Sequence, residues 1–402
     1  MSMSRRAFVG AAAAFGLAPR RVLSTAAPTT LPVPEDRFDP WVEVDPGLLR
    51  HNVEQVSRLA GGRPILAVVK NNAYGLGLST AGPILASFPE VWGLAVVKAD
   101  AALHLRDAGI RKPIVLMAMC SEREGHELVA RDVQLSLYTD DASSRVAPLA
   151  SRIGRPLDVQ LYLDTGMGRM GMPYHRALPW LEDVARRPDL NVRGTFMAFV
   201  EERDFDRQQL QRFETLARDA ASRGLRLGSL HAASSNGVFH LPEAHLDMVR
   251  PGIALFGAYP SEPEVERERA ELKCAVRLRA RVVRVARLRA GDGVSYGRNY
   301  VAQRPTWIAT LPVGHSDGYP RKAVAGAKVL INGRRFPVIG AVSASHCIVE
   351  LGDEPFAKVG DVATLLGPDD PVVEPNVLAD AIGVSVYDLL MHLSAELPRF
   401  LV

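Results

Sequence analysis

Short, almost wholly apolar runs alternate with helix-like patterns along the first part of the chain. The runs lack polar alternation, which is typical of strands buried in a parallel sheet. The predicted strands are Ile65–Val69, Val91–Val97, Ile114–Ala118, Gln134–Tyr138, Val159–Leu163, Val192–Met197, Gly228–Ala232 and Gly252–Phe256. Eight strands alternating with helices predict a (β/α)8 TIM barrel. A doubly wound open sheet is the alternative, but no G-x-G-x-x-G motif follows the first strand.

The pattern changes after about Val265, where short strand-like runs have few helices between them and turn signals such as Asn332-Gly333 recur. The predicted strands are Leu272–Leu288, Trp307–Pro312, Lys328–Ile331, Phe336–Val342, Cys347–Leu351 and Val362–Leu366. Helix-like patterns follow at Asn376–Gly383 and Val386–Ser394. We therefore expect an α/β chain in which a barrel over residues 41–265 is followed by a mostly-β C-terminal domain over residues 266–402.

Composition narrows the possible functions. The chain has 402 residues, of which 47% are hydrophobic and 23% charged, with a net charge of +3. This composition favours a globular protein with a large core and gives no reason to expect a nucleic-acid partner. The three cysteines have no metal-type spacing, and their odd number argues against a disulfide framework. After the N-terminal segment, no stretch approaches the roughly 20 apolar residues of a membrane span.

The N-terminal segment differs in kind from the rest. Arg5 and Arg6 precede an alanine-rich apolar run to Leu17, and small residues follow up to Ala27. This order is typical of a twin-arginine export signal, so we expect residues 1–27 to be removed and the mature protein to be periplasmic. A disordered basic tail is the alternative. The proline-rich residues 28–40 are expected to form a linker.

Lys70 ends the first predicted strand, and a glycine-punctuated turn follows it. Burying an ammonium group costs several kcal/mol unless the group finds a partner or loses its proton. A lysine that loses its proton easily is suited to form a Schiff base with a carbonyl compound such as pyridoxal phosphate. The alternative is that Lys70 simply emerges from the sheet into water.

Other chemically active residues are expected near Lys70, because the active site of such a barrel lies at the C-terminal ends of its strands. Residues 164–169, with the sequence DTGMGR, follow the fifth strand, and His231 to Ser235 follow the seventh. Ser235, Asn236 and Gly237 offer a hydroxyl and backbone N–H groups to a phosphate. Each segment alone is a weak signal, because a glycine-rich turn after a strand is usually only a turn.

Several motifs resemble those of the alanine racemase family, whose barrel-fold members are amino-acid racemases that use pyridoxal 5'-phosphate. They are AVVKNNAYGLG, DTGMGRMG, HAASS, VRPGIALFG, VSYGRNYVA, GHSDGYPR and the final LPRF. The resemblance covers residues 41–402. It implies that Lys70 holds the cofactor covalently, that Tyr74 and Ser235 contact its phosphate, and that Arg250 donates to its pyridine nitrogen.

The resemblance also implies roles for three residues that bind substrate or complete the site. Arg169 would orient the cofactor phenolate and the substrate carboxylate, and Tyr387 would reach the phosphate region. Tyr296 would contact substrate as the second base and would come from the other subunit, so a homodimer with shared active sites is expected. Racemisation needs a base on each face of a planar carbanion, and Lys70 and Tyr296 are side chains suited to that task.

The chain departs from the family pattern around the substrate site. Tyr162 stands where the family usually has a carbamylated lysine, and His315 stands in GHSDG where GYADG is usual. Ala344 and Ser345 replace the usual methionine and aspartate. Ala344 as a substrate contact would enlarge the pocket and admit a side chain longer than a methyl group. Tyr162 would reduce the space beside Arg169.

The leading interpretation is an exported racemase of alanine or of broader specificity. A pyridoxal-phosphate-binding protein that has lost turnover is one alternative, and a lyase or decarboxylase on the same fold is another. Retention of both Lys70 and Tyr296 favours the racemase, because neither alternative needs two opposed bases.

Overall fold

The computed structural model describes residue 34 and residues 36–402. The predicted export signal lies outside the described residues, and the predicted linker is described only in part. The first strands are β1 (Trp41–Val44), β2 (Ile65–Val68), β3 (Val91–Val96), β4 (Ile114–Leu116), β5 (Val133–Leu137), β6 (Leu157–Asp164), β7 (Met172–Pro173), β8 (Leu190–Phe196) and β9 (Ser229–His231). The helical segments among them are α1 (Pro46–Leu59), α2 (Lys70–Tyr74), α3 (Leu78–Ser87), α4 (Ala99–Asp107), α5 (Glu122–Ala130), α6 (Ala142–Ile153), α7 (Tyr174–Ala185), α8 (Arg203–Ser222) and α9 (Ser235–His240).

The second part of the chain is mostly strand. Its strands are β10 (Val276–Arg281), β11 (Arg284–Leu288), β12 (Gly293–Val294), β13 (Tyr300–Val301), β14 (Thr306–Leu311), β15 (Lys328–Ile331), β16 (Arg334–Ile339), β17 (Cys347–Gly352), β18 (Val362–Leu366) and β19 (Arg399–Leu401). Its helices are α10 (Pro263–Arg269), α11 (Pro375–Ile382) and α12 (Val386–Met391). The predicted strand Leu272–Leu288 is thus two strands, β10 and β11, which lie far apart in one sheet.

The predicted barrel is confirmed. Strands β2, β3, β4, β5, β6, β8 and β9 are parallel neighbours in that order. The barrel closes because the Leu66 N–H donates to the Val249 carbonyl at 2.9 Å and the Val68 N–H donates to the Pro251 carbonyl at 2.9 Å. Residues 249–251 therefore act as the eighth strand. The predicted eighth strand at 252–256 is wrong, because Ile253–Phe256 form a buried 3-10 helix, and periodicity alone does not distinguish a short buried helix from a strand.

The first strand lies in the C-terminal domain. β1 pairs antiparallel with β10 and parallel with β19 in a sheet ordered β11-β14-β17-β16-β15-β18-β10-β1-β19. Asp45 follows β1 and caps α1 by accepting from the Leu48 N–H at 3.1 Å, with Pro46 at the first helical position. The barrel therefore begins at α1, whereas the sequence-based boundary at residue 41 assigned β1 to it.

The barrel interior has an apolar layer and a polar layer. The apolar layer consists of Leu66, Val68, Ala95, Val115 and Met248. The polar side chains buried with them include Gln134, Gln160, His231 and Arg250. A separate, much larger apolar cluster runs without a break from the helices around the barrel into the C-terminal domain, so the two domains share one core. In the part of the chain that the structure describes, no helix is long and apolar enough to cross a membrane.

Gly75 brings the two domains into contact beside α2. Its φ is +89°, and a Cβ built there would lie 2.1 Å from the carbonyl oxygen of Leu390 in α12. Only a residue without a side chain lets the backbone of the barrel meet the backbone of α12 at this point.

We expect Gly75→Ala to destabilise the fold by about 3 kcal/mol, since it adds an overpacked contact to left-handed backbone strain. The matched control is Gly154→Ala, which has a φ of +71° and nothing within 4 Å, and it should cost only about 1 kcal/mol. The measurement is the midpoint of thermal denaturation of each purified variant. Equal midpoints for the two variants would show that the close approach to α12 does not contribute.

Candidate active site

One cavity of about 450 Å³ opens at the C-terminal ends of the barrel strands. The ends of β2, β6, β8 and β9 surround it, and α12 of the C-terminal domain covers one side. The predicted site residues that line it are Lys70, Tyr74, Arg169, Ser235, Arg250 and Tyr387. Residues separated by more than 300 positions in the chain thus meet at the expected end of the barrel.

Lys70 begins a tight reversal of the chain. The four residues after it, from Asn71 to Tyr74, all have φ between +51° and +57°, so α2 is a left-handed turn and not an ordinary helix. Such backbone costs about 1–2 kcal/mol for a residue with a Cβ, and asparagine tolerates it best. The turn keeps Lys70 and Tyr74 on the same side, with the Lys70 Nζ 5.9 Å from the centre of the Tyr74 ring.

Contacts from several elements hold this turn. The Asn72 side chain accepts from the Leu78 N–H at 2.8 Å, and the Asn72 carbonyl accepts from the Gly77 N–H at 3.0 Å. Arg399, in the last strand, donates to the Gly75 carbonyl at 2.9 Å. Strained backbone persists only where its surroundings determine it, and it is concentrated at functional sites. The turn is such a place.

Charges in the cavity act on Lys70. Partial burial lowers the pKa of its ammonium group, nearby Arg169 lowers it further, and the Glu201 carboxylate acts in the opposite direction. A lowered pKa makes the neutral, nucleophilic amine easier to reach. The prediction that Lys70 loses its proton easily therefore has physical support.

Hydroxyl groups gather at another side of the cavity. The buried Ser235 Oγ accepts from the Gly252 N–H at 3.0 Å and from the Ala254 N–H at 3.2 Å. These two bonds occupy both lone pairs of the Ser235 oxygen, so the remaining role of its O–H group is to donate a hydrogen bond. The Tyr74 hydroxyl lies directly over Gly252, where a Cβ would meet it at 2.2 Å. Burial raises the pKa of Tyr74 and of Tyr387, so both phenols stay neutral and able to donate.

Two neighbours of Ser235 do not join this group. Asn236 and Gly237 lie within α9, and the Asn236 side chain donates to the Ser261 hydroxyl at 2.9 Å. Ser235 lines the cavity, whereas Asn236 and Gly237 are not among its lining residues. The expectation that their backbone N–H groups contact a phosphate stays a prediction.

Arg250 is buried at the inner end of the cavity. Its guanidinium donates to the carbonyls of His231 at 2.5 Å and of Met197 at 2.6 Å. Desolvation lowers its pKa to about 10, so it stays protonated at neutral pH. Burial and the Arg250 charge hold the pKa of His231 well below its ordinary value. Its neutral Nδ1 therefore accepts from Arg250 at 3.2 Å, while its Nε2 pairs with Gln160 at 3.0 Å.

Tyr162 forms part of an aromatic wall. Its ring stacks on Phe196 with the centres 4.3 Å apart, and Phe196 stacks on His231 at 5.3 Å. The Arg250 guanidinium lies 5.1 Å from the centre of the Phe196 ring. The predicted effect of Tyr162, filling space near the cavity, is consistent with this stacked position. The sequence signal available for this wall was an aromatic residue near the end of each of two barrel strands, Tyr162 in β6 and Phe196 in β8.

The remaining predicted residues do not line this cavity. Tyr296 is 77% exposed on a turn between β12 and β13, and Ala344 and Ser345 are exposed on a loop before β17. Hydrogen bonds connect these loops: Ser295 Oγ donates to the Ala341 carbonyl at 2.8 Å, and the His315 N–H donates to the Ser343 carbonyl at 3.0 Å. We call residues 295–298, 314–317 and 341–346 the loop surface. It contains four of the residues that the resemblance placed around the substrate, namely Tyr296, His315, Ala344 and Ser345.

Glu201 also lines the cavity, and sequence reasoning missed it. The available signal was its place in the segment that follows a barrel strand, since β8 ends at Phe196. The sequence pattern Glu-Glu-Arg-Asp reads more simply as the acidic start of helix α8.

Two family models match the chain. The model of the alanine racemase N-terminal domain covers residues 44–260, and that of the alanine racemase C-terminal domain covers residues 275–401. The alanine racemase of Carboxydothermus hydrogenoformans is 34% identical over 368 residues, which are 90% of this chain and 99% of that protein. That of Desulforamulus reducens is 33% identical over 89% of this chain and 98% of that protein.

Solved structures agree with these matches. The alanine racemase of D-cycloserine-producing Streptomyces lavendulae is 28% identical and superposes with a TM-score of 0.84, over 91% of this chain and 97% of that chain. The biosynthetic alanine racemase of Pseudomonas aeruginosa is 30% identical with a TM-score of 0.79, over 91% of this chain and all of that chain. With both domains matched in sequence and in fold, this chain belongs to the alanine racemase family.

Proposed function

We propose that this protein interconverts L- and D-amino acids with pyridoxal 5'-phosphate as its cofactor. The proposal rests mainly on one cavity that is lined by Lys70, whose pKa is lowered, by the buried Arg250 and by a group of hydroxyls able to donate. Family membership supports the same activity, because the matched relatives are named alanine racemases.

The residues present fit pyridoxal phosphate. Lys70 offers the amine that would hold its aldehyde carbon, and the O–H groups of Ser235, Tyr74 and Tyr387 would donate to its phosphate. Arg250 is an N–H donor held at the inner end of the cavity, where it would meet the pyridine nitrogen. When bound, this cofactor withdraws electrons from an amino acid joined to it and so acidifies the Cα–H bond.

The chain's own residues would then handle the substrate and its proton. Arg169 lies close enough to Lys70 to lower its pKa, so a substrate carboxylate bound to Arg169 would sit beside the Lys70 Nζ. Lys70 would remove or return the Cα proton on one face. Tyr296 of the partner subunit would do so on the other face, which agrees with the exposure of Tyr296 in its own chain.

The loop surface would set the substrate range. Ala344 and Ser345 are small and exposed, and the nearby His315 accepts through Nε2 from the Arg321 guanidinium at 2.9 Å. If this surface covers the cavity of the partner subunit, Ala344 leaves room that a methionine would fill. A pocket enlarged in this way discriminates weakly against one extra methylene, by about 1–3 kcal/mol, so we propose a range broader than alanine.

The first prediction concerns the covalent attachment of the cofactor. The purified protein incubated with pyridoxal phosphate should acquire a visible absorbance band, and borohydride should fix the label on the peptide that contains Lys70. Lys70→Ala should lose the band, because the amine is gone. Lys98→Ala, which removes an exposed lysine beyond the end of β3, should keep it. A label on any other lysine would contradict the assignment.

The second prediction concerns the shared active site. Lys70→Ala and Tyr296→Ala should each be inactive, whereas an equal mixture after subunit exchange should regain about a quarter of wild-type racemase activity, since half the dimers are mixed and each has one intact site. Chiral chromatography of L-alanine, L-serine, L-lysine and L-arginine reactions measures the activity. A mixture of Lys70→Ala with Lys70→Arg is the control. No recovery after verified exchange would place both bases in one subunit.

The third prediction concerns export by the twin-arginine route, which we propose from residues outside the described part of the chain. Replacing Arg5 and Arg6 by lysine should keep the precursor inside the cell, because that route requires the arginine pair. Replacing Arg20 and Arg21 by lysine is the matched control and should leave export intact. Immunoblotting of periplasmic and cytoplasmic fractions measures the outcome. Normal export of the first variant would remove the proposed route.

A further inference from the structure

Two loops that carry residues of the cavity wall are attached to one helix. The first loop, residues 165–171, joins β6 to β7 and carries Arg169, and the second, residues 197–202, joins β8 to α8. Both lie outside regular helices and strands. Arg169 is exposed in the subunit, so contacts of the first loop, and not packing around the guanidinium, determine where its side chain starts.

The first loop begins as a turn around one carboxylate. The side chain of Asp164 accepts from three successive N–H groups at 2.8–3.2 Å, those of Gly166, Met167 and Gly168. Because these donors converge on a single acceptor group, the start of the loop has one defined shape. The turn does not by itself attach the first loop to the second, since Asp164 belongs to the same segment.

Three side chains on one face of α8 attach the two loops to each other. Phe205, Gln209 and Arg212 are four and three positions apart, which places them on the same side of the helix. We call these three residues the α8 clamp. The buried Gln209 amide donates to the Ala198 carbonyl at 3.1 Å and accepts from the Val200 N–H at 3.0 Å. Gln209 therefore holds the second loop.

Arg212 contacts the first loop at both ends. Where the loop starts, its guanidinium donates to the Thr165 carbonyl at 2.7 Å. Just beyond the end of the loop, the centre of the Tyr174 ring lies 4.6 Å from the guanidinium carbon, and the centre of the Phe205 ring lies 5.3 Å from it. A cation gains free energy over the face of an aromatic ring. One arginine thus fixes the loop before and after the residue that faces the substrate.

Position 162 does not support Arg169 in the way that the family resemblance implies. The resemblance places a carbamylated lysine beside this arginine. The Tyr162 ring instead stacks on Phe196 and meets the Tyr138 ring edge-on, with the two tyrosine centres 5.9 Å apart. A phenol offers one hydroxyl where a carbamate would offer two anionic oxygens, so the position of Arg169 depends on its loop.

We infer that the α8 clamp, chiefly through Arg212, positions Arg169 to receive the substrate carboxylate. The inference rests on the proposed racemase function, in which that carboxylate binds Arg169. Arg212 does not line the cavity and acts through the loop, so it is a positioning residue. Lysine would not replace it, because an ammonium group lacks both the planar surface that packs on the rings and the fixed fork of N–H donors.

The experiment is a double-mutant cycle on carboxylate binding. Propionate has the carboxylate and carbon chain of alanine without the amine, so its dissociation constant for protein loaded with pyridoxal phosphate measures the carboxylate site alone. Arg212→Lys should weaken propionate binding and raise KM for L-alanine about tenfold, with kcat and the dissociation constant of the cofactor within about twofold of wild type. In an Arg169→Gln background, Arg212→Lys should have no further effect.

Two more variants make the comparison secure. Arg218→Lys is the matched control, because Arg218 is exposed on the same helix and donates only to the Thr215 hydroxyl at 3.1 Å, so every constant should stay at the wild-type value. Tyr174→Leu removes one of the rings that contact Arg212 and should weaken propionate binding about threefold. If Arg212→Lys does not fold, Tyr174→Leu in the two backgrounds decides the question.

The outcomes separate the inference from the function on which it rests. Unchanged propionate binding in the folded Arg212→Lys variant contradicts the inference. An equal loss in the wild-type and Arg169→Gln backgrounds also contradicts it, because Arg212 would then act on the site by another route. If wild type binds the cofactor and propionate but racemises no amino acid, the proposed function fails, while the cycle on propionate still tests the positioning of Arg169.

Discussion

The burial of the Arg250 guanidinium is the constraint on which the site depends. Among the described residues no carboxylate forms an ion pair with it, so backbone carbonyls must replace the water it loses. Met197 and His231 supply them because they stand where β8 and β9 end, and the carbonyls of strand ends are not used up by a neighbouring strand. The barrel geometry therefore creates a site for the guanidinium, and the guanidinium in turn donates hydrogen bonds to the free carbonyl groups at the strand ends.

A chain of polar side chains extends from this arginine across the barrel. His231 is fully buried and neutral, with Nδ1 toward Arg250 and Nε2 toward Gln160. Gln160 donates in turn to Gln134 at 2.6 Å. A fully satisfied buried network specifies one arrangement, because each member left unpaired would lose the free energy of its hydrogen bonds. The network explains why one layer of the barrel is polar although the layer beside it is apolar.

The second domain supports the site in two different ways. Within the chain, Leu390 approaches Gly75 and Arg399 binds the Gly75 carbonyl, so the left-handed turn after Lys70 is held from outside the barrel. The loop surface carries the exposed Tyr296 and does not line the cavity of its own chain. One domain thus stabilises the lysine of its own subunit, and under the proposed mechanism it also completes the site of the partner.

The sequence by itself determined the barrel and the position of Lys70. Unbroken apolar runs specify strands buried on both faces, and a lysine at the end of such a run must lie at the rim. Only the tertiary structure decided that β1 pairs in the sheet of the C-terminal domain and that residues 249–251, instead of 252–256, close the barrel. It also decided that Glu201 lines the cavity while Glu202 caps a helix. The reason is physical: a local pattern reports which residues are buried, but the partner of a strand and the direction of a side chain depend on contacts with residues far away in the chain.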